Sequence, residues 1–252
     1  MCFDVDSAPP VPEITGASVA HRDLTLEAPD GASLAAFEAL GGGEVGVVVL
    51  PDVRGLYRFY EELALRFAER GFDAVAIDYF ARTAGVAKRG DDFDFWPHVE
   101  QTTFEGVRAD VGAAVSHLRR EIPNRHIVTV GFCFGGSNSW HQAANGHDLS
   151  GAVGFYGNPT RAGMPQGAVP VIERAGDIAC PILALQGGDD PGIPNEESIR
   201  LREALDAAGV HNDIVIYDGA PHSFFDRKYD EFAAASADAW NRVLAFIDDV
   251  TT

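Results

Sequence analysis

The sequence predicts an α/β fold: a mostly parallel central sheet with helices on both faces, preceded by an N-terminal β-hairpin. Three observations carry this. Short Val- and Ile-rich runs recur without polar alternation, as expected of strands covered on both faces. Apolar stripes at helical spacing fall between most of them, and that alternation argues a parallel sheet. The 252 residues, 46% hydrophobic and 23% charged, suit one folded domain and are too apolar for a disordered chain.

The first dozen residues, with Pro9, Pro10 and Pro12, read as a loose arm, and the arm is set at residues 1–18 with a single domain over 19–252. Ser18–Ala28 and Ala32–Ala39 flank Pro29-Asp30-Gly31, whose turn chemistry predicts a hairpin. Val45–Leu50 is an uninterrupted apolar run and reads as a central strand. Phe59, Leu63, Phe67 and Ala68 mark one face of a helix closed by Gly71, and Ala74–Ile77 is the next buried strand. Val107, Val111, Ala114, Val115 and Leu118 form a second helical stripe that stops before Pro123. His126–Val130, Gly151–Phe155, Pro181–Leu185 and Ile214–Tyr217 are four further strands. Asn195–Ala208 and Asp230–Asp249 are the last two helices. The long irregular stretch Asp78–Pro97, with Phe93, Phe95 and Trp96 among charges, is a candidate pocket wall.

Composition narrows the function. A formal charge of −19 repels phosphate backbones and anionic membranes, so nucleic-acid and membrane partners are not expected. No run of about 18 apolar residues is present to span a bilayer, and Met1–Pro12 lacks the basic, apolar pattern of a signal peptide. Cys2, Cys133 and Cys180 make neither a disulfide framework nor a C-x-x-C pair, which fits a reducing cytoplasm. No metal or organic cofactor is implied. Gly41-Gly42-Gly43 precedes a strand rather than a helix, so it is not a phosphate loop.

The informative segment is Ile127-Val128-Thr129-Val130-Gly131-Phe132-Cys133-Phe134-Gly135-Gly136. A strand runs into G-x-C-x-G and then a helix, the nucleophile-elbow arrangement with cysteine in place of serine. The flanking glycines leave room for strand and helix to approach, and the helix N-terminus favours developing negative charge. The bland alternative is a buried structural cysteine on a tight turn. A nucleophile of this kind needs an acid and then a histidine later in the chain. Gln186-Gly187-Gly188-Asp189-Asp190-Pro191-Gly192-Ile193-Pro194 supplies carboxylates after one strand, and Asp218-Gly219-Ala220-Pro221-His222 supplies a histidine after the next. Carboxyl ends of strands are where open α/β sheets gather their sites. Asp189 and Asp190 are equivalent on these grounds. His117 and His126 read as packing or surface residues.

Five ordered motifs resemble the dienelactone hydrolase family of α/β-hydrolases: Val49-Leu50-Pro51-Asp52-Val53-Arg54-Gly55, Ile77-Asp78-Tyr79-Phe80-Ala81-Arg82, Gly131-Phe132-Cys133-Phe134-Gly135-Gly136, Gly187-x-x-Asp190-x-x-Ile193-Pro194, and Tyr217-x-Gly219-Ala220-x-His222. The match spans roughly residues 19–249. The resemblance implies the α/β-hydrolase fold, Cys133 as nucleophile, His222 as base and Asp190, rather than Asp189, as triad acid. The elbow motif places an oxyanion hole at the Val53 and Phe134 N–H groups, one after the third strand and one after the nucleophile. Arg82 keeps a family arginine for the substrate, and Asp52, Arg54 and Arg227 are further substrate-binding candidates. Two positions depart from the family: Asp52 stands where glutamate is usual, and Asp226 stands where an arginine is usual, with Arg227 one residue on. The expected activity is therefore hydrolysis of a lactone or small carboxylic ester through a thioester acyl-enzyme. The alternatives are a broad-specificity carboxylesterase on the same scaffold and a catalytically silent ligand-binding relative. The expected partner is the small-molecule substrate, in a monomer or small homo-oligomer.

Overall fold

A computed structural model describes residues 7–16, 18–225 and 230–252. In chain order the elements are β1 (Ala20–Glu27), β2 (Ser33–Leu40), β3 (Val45–Leu50), α1 (Arg58–Ala68), β4 (Asp73–Ile77), α2 (Ala81–Ala84), α3 (Trp96–Val99), α4 (Phe104–Leu118), β5 (His126–Phe132), α5 (Phe134–Ala143), β6 (Gly151–Phe155), β7 (Ile182–Gly187), α6 (Asn195–Ala207), β8 (Asn212–Tyr217) and α7 (Ala233–Thr251). Two 3₁₀ turns, Val171–Asp177 and Asp230–Phe232, complete the set. The eight strands form one sheet in the order β1-β2-β4-β3-β5-β6-β7-β8. The predicted hairpin is β1–β2, antiparallel from Ala20 opposite Leu40 to Glu27 opposite Ser33. β2 then pairs antiparallel with β4, and every pair beyond is parallel.

Strand β3 shows why the Val-rich run reads as it does. Val47 and Val49 enter the core shared with α1 and α7, while Val48 and Leu50 enter the core beneath α4. Both faces are dry, so the period-2 alternation of a half-exposed strand disappears. Helix α1 buries Phe59, Leu63, Ala64 and Phe67 on one stripe, and α4 buries Val107, Val111, Ala114, Val115 and Leu118 on another. A third cluster joins Trp140 of α5 to Leu201 and Leu205 of α6. Among the described residues no helix is long and apolar enough to cross a membrane.

Three differences from the sequence reading have local causes. The expected loose arm is anchored at particular points although residues 12–16 are exposed: Val11 is fully buried in the α1/α7 core, and the Ile14 N–H donates to Glu69 at 3.1 Å. The 78–97 stretch contains α2 and begins α3, four-residue helices too short to show an apolar period. It is tied down by a buried ion pair, Arg89 donating from Nε and Nη2 to the two Asp78 oxygens at 3.1 and 2.7 Å. The last helix starts at Ala233, after a 3₁₀ turn, rather than at Asp230.

Candidate active site

Cys133 sits between β5 and α5 with φ +56° and ψ −112°, a left-handed position that a side chain adopts only under constraint. The constraint is close approach. A Cβ on Gly131 would stand 1.9 Å from the Gly135 carbonyl oxygen, and one on Gly135 would stand 2.1 Å from Leu50 O and 2.4 Å from Pro51 O. Only glycine lets β5, α5 and the end of β3 meet this tightly. The Cys133 N–H is anchored on Phe155 O at 2.9 Å, at the end of the neighbouring β6.

The acid and the histidine converge at the same sheet edge. Asp190 lies three residues past β7 and His222 five past β8, and His222 Nδ1 meets Asp190 Oδ2 at 2.6 Å. Asp190 is buried and its other oxygen accepts the Gly192 N–H at 2.8 Å, whereas Asp189 is exposed. Burial alone raises the Asp190 carboxyl, but His222 and the Gly192 and Ile193 backbone outweigh it and hold the group below its ordinary value. Tyr156, next after Phe155, packs its ring 4.9 Å from the His222 imidazole. The β6 end therefore touches both the Cys133 backbone and the His222 ring.

The remaining expected residues fall into two groups. Val53 ends up in the turn after β3 and Phe134 opens α5; neither amide donates to a protein acceptor among the described residues. Asp52 is fully buried, but its carboxylate faces its own loop: Oδ1 accepts the Arg54 N–H at 2.8 Å and Oδ2 accepts Arg54 Nη2 at 3.2 Å. Arg54 also donates to the Tyr57 hydroxyl and lies over its ring. Arg82 is engaged too. Its Nη1 donates to both Asp110 oxygens at 2.7 Å, and its Nε and Nη2 donate to Asp30. Arg227, with Asp226, lies outside the described residues. Sequence reasoning missed Asp30 and Asp110 as partners, because they are 52 and 28 residues from Arg82. His117 is a packing residue, bonded to Glu38 at 2.5 Å.

The sequence profile described as "Dienelactone hydrolase family" matches residues 35–251. The chain belongs to the dienelactone hydrolase family. It is accordingly a hydrolase of ester bonds, of the lactone or ester type. A carboxymethylenebutenolidase from Rhodococcus opacus is 30% identical over 262 residues, covering 100% of this chain and 98% of that protein. A crystal structure of a Klebsiella pneumoniae protein assigned as a dienelactone hydrolase has TM-score 0.82 at 25% identity, covering 92% and 99% of the two chains. A dienelactone hydrolase-like promiscuous phosphotriesterase, P91, from metagenomic libraries shares the fold at TM-score 0.75 and 24% identity, covering 93% and 99%. The α/β-hydrolase fold of the family is the architecture described above, a mostly parallel eight-stranded sheet with an N-terminal antiparallel pair at one edge.

Proposed function

We propose that the chain is a cysteine-nucleophile hydrolase that opens a lactone or cleaves a small carboxylic ester through Cys133, His222 and Asp190. The observation that carries this is the 2.6 Å contact between His222 Nδ1 and Asp190 Oδ2, at the strand ends beside the strained Cys133 elbow. With Nδ1 held by the carboxylate, we assign Nε2 as the nitrogen that takes the thiol proton. The sulfur then attacks the substrate carbonyl carbon, and the C=O electron pair moves onto oxygen. That oxyanion meets the Val53 and Phe134 N–H groups, where one donor is worth roughly 10²–10³ in rate. Collapse breaks the ester C–O bond, and the alkoxide takes the proton from His222. Water, deprotonated by His222, repeats the sequence on the thioester and frees Cys133.

A second reading on the same scaffold is a broad carboxylesterase for uncharged esters. It is favoured by the engagement of Arg82, whose Nε, Nη1 and Nη2 all donate to Asp30 or Asp110, and by the pairing of Arg54 Nη2 with Asp52. For the whole chain we adopt one domain over residues 19–252 behind the 1–18 segment, working in a reducing cytoplasm that keeps Cys133 a thiol. The test is Cys133→Ala. Turnover of a nitrophenyl ester and of an unsaturated lactone acid should fall below about one per cent of the wild type, with circular dichroism and melting temperature nearly unchanged. Retained turnover would move the nucleophile elsewhere, and absence of turnover in the wild type would favour a binding protein.

A further inference from the structure

The turn between β3 and α1 carries the Val53 amide, and the peptide unit just before it is held from both sides. The carbonyl of the Pro51–Asp52 peptide accepts the Tyr79 hydroxyl at 3.1 Å, and the N–H of the same peptide donates to the Tyr60 hydroxyl oxygen at 2.9 Å. Both rings are buried, Tyr60 completely. They come from opposite sides of the sheet: Tyr60, on α1, belongs to the core shared with α7, and Tyr79, just after β4, belongs to the core beneath α4. The next peptide is fixed as well. Its carbonyl, Asp52 O, accepts the Gly55 N–H at 3.1 Å, and the Asp52 side chain closes an Asx turn on the Arg54 N–H. The N–H of that second peptide is the Val53 amide.

The same two tyrosines reach the nucleophile's neighbours. Tyr79 stands edge-on to Phe134 with ring centroids 5.3 Å apart, and Phe134 carries the other amide of the hole. Tyr60 packs 5.7 Å from Phe132, the residue before Cys133. The Pro51 oxygen that Tyr79 holds lies 2.4 Å from where a Cβ on Gly135 would stand, so any swing of this peptide is felt on α5. We propose that Tyr60 and Tyr79 are positioning residues for the oxyanion hole, gripping the Pro51–Asp52 peptide so that the Val53 N–H points at the developing oxyanion. The inference rests on the acyl-transfer reading above and adds to it the parts that aim one of its donors. Preorganised donors act because they need no reorientation as charge appears, and one released to rotate loses most of that advantage. Tyr79 keeps its proton across the working range: burial, with the nearby Asp52, Asp78, Asp110 and Cys133 charges, pushes its phenol well above the ordinary value.

The experiment compares Tyr79→Phe and Tyr60→Phe with the wild type in two reactions of the same thiol. Acylation of Cys133 by a nitrophenyl ester builds an oxyanion, whereas alkylation by iodoacetamide is a direct displacement that builds none. Alkylation is read at the Cys133 peptide by mass spectrometry, and Cys180 serves as an inert reference because burial pushes its thiol up to about 12. Each variant should lose roughly ten- to a hundred-fold in acylation rate and kcat with KM little changed, short of the 10²–10³ of removing a donor outright. Alkylation should stay within about twofold of wild type, since thiolate supply is untouched. Acylation within about twofold of wild type in both variants overturns the inference, as does a loss that alkylation shares or a failure of both to fold. Phenylalanine preserves ring volume, and the two variants approach from different layers, so if one fails to fold the other decides. If the wild type itself shows no Cys133-dependent acylation, the acyl-transfer reading falls and this inference with it.

Discussion

A single nitrogen of Arg82, Nη1, stands 2.7 Å from each carboxylate oxygen of Asp110, a residue of α4 that is almost fully buried. Asp30, from the hairpin turn, takes the other side of the guanidinium. Arg82 therefore joins the β1–β2 turn, α2 and α4, and it bonds a buried carboxyl that burial pushes up to about 7 despite the guanidinium. Replacing it with alanine leaves Asp110 buried without that partner. Arg82→Ala should cost about 1–3 kcal/mol of stability, less than a fully buried pair because the Arg82 side chain keeps some solvent contact. Urea unfolding measures this. Activity on a carboxylate-bearing lactone and on a neutral ester of similar size should fall together; a selective rise in KM for the charged substrate would restore Arg82 as a carboxylate clamp.

The contrast between Asp189 and Asp190 gives a sharper pair of variants. Asp190→Asn should lower kcat roughly 10²–10⁴-fold, because an amide at that place selects the wrong imidazole tautomer. Asp189→Asn, at an exposed position, should change kcat less than about threefold, as surface substitutions do. Steady-state kinetics on one ester rank the two, and the reverse order would transfer the role to Asp189.

Gly135→Ala tests the elbow without touching a polar side chain. Its Cβ would lie 2.1 Å from Leu50 O and 2.4 Å from Pro51 O, both backbone atoms that cannot rotate away. The helix must shift off the sheet, and overpacking of this kind costs about 1–3 kcal/mol or more. Expected are a lowered melting temperature and a loss of activity larger than the stability loss explains, since the shift also moves the Phe134 amide.

Acid stability should carry the signature of buried neutral histidine. Burial, with the Arg174 charge, lowers the His141 imidazole to about 4. Between about pH 4 and 6.5 the unfolded chain takes up a proton here that the folded chain refuses, so stability falls as pH falls through that window and is level above it. His141→Gln should remove its share of this dependence and leave that of His147, which burial and the Arg108 and Arg119 charges likewise lower to about 4. Chemical denaturation at pH 7.5 and 5 should show the wild type losing about 1–2 kcal/mol more than the variant; equal losses would mean that His141 titrates normally.

How much of this was legible in the sequence depends on the range of the interaction. Val45–Leu50 and Gly151–Phe155 were readable to the residue, because a strand dry on both faces writes its burial directly into composition. β5 and β8 were read short: Gly131 and Phe132 belong to the elbow as much as to the strand, and Asn212 and Asp213 are polar residues paired across to β7. The elbow glycines announced a close approach, though not that Leu50 and Pro51 were the atoms approached. Asp189 against Asp190 was undecided from residue types, the motif spacing pointed to Asp190, and in the fold it is the Asp190 carboxylate that meets His222. The partners of Arg82, and the hydroxyls that reach Pro51 and Asp52 from α1 and from the end of β4, arise from chain packing that no local pattern encodes. Tyr79 nevertheless sat inside a motif already singled out, two residues past a buried strand.

Val11 sits wholly inside the core beside α1 and α7, ahead of the first strand and joined to it by a short exposed stretch. Residues 7–11 thus behave as a stopper seated in the protein's side. A chain trimmed back to the hairpin would keep every strand and every candidate active-site residue, yet would bare an apolar socket that invites another molecule to fill it. Fusion partners and affinity handles belong ahead of this segment, never in its place.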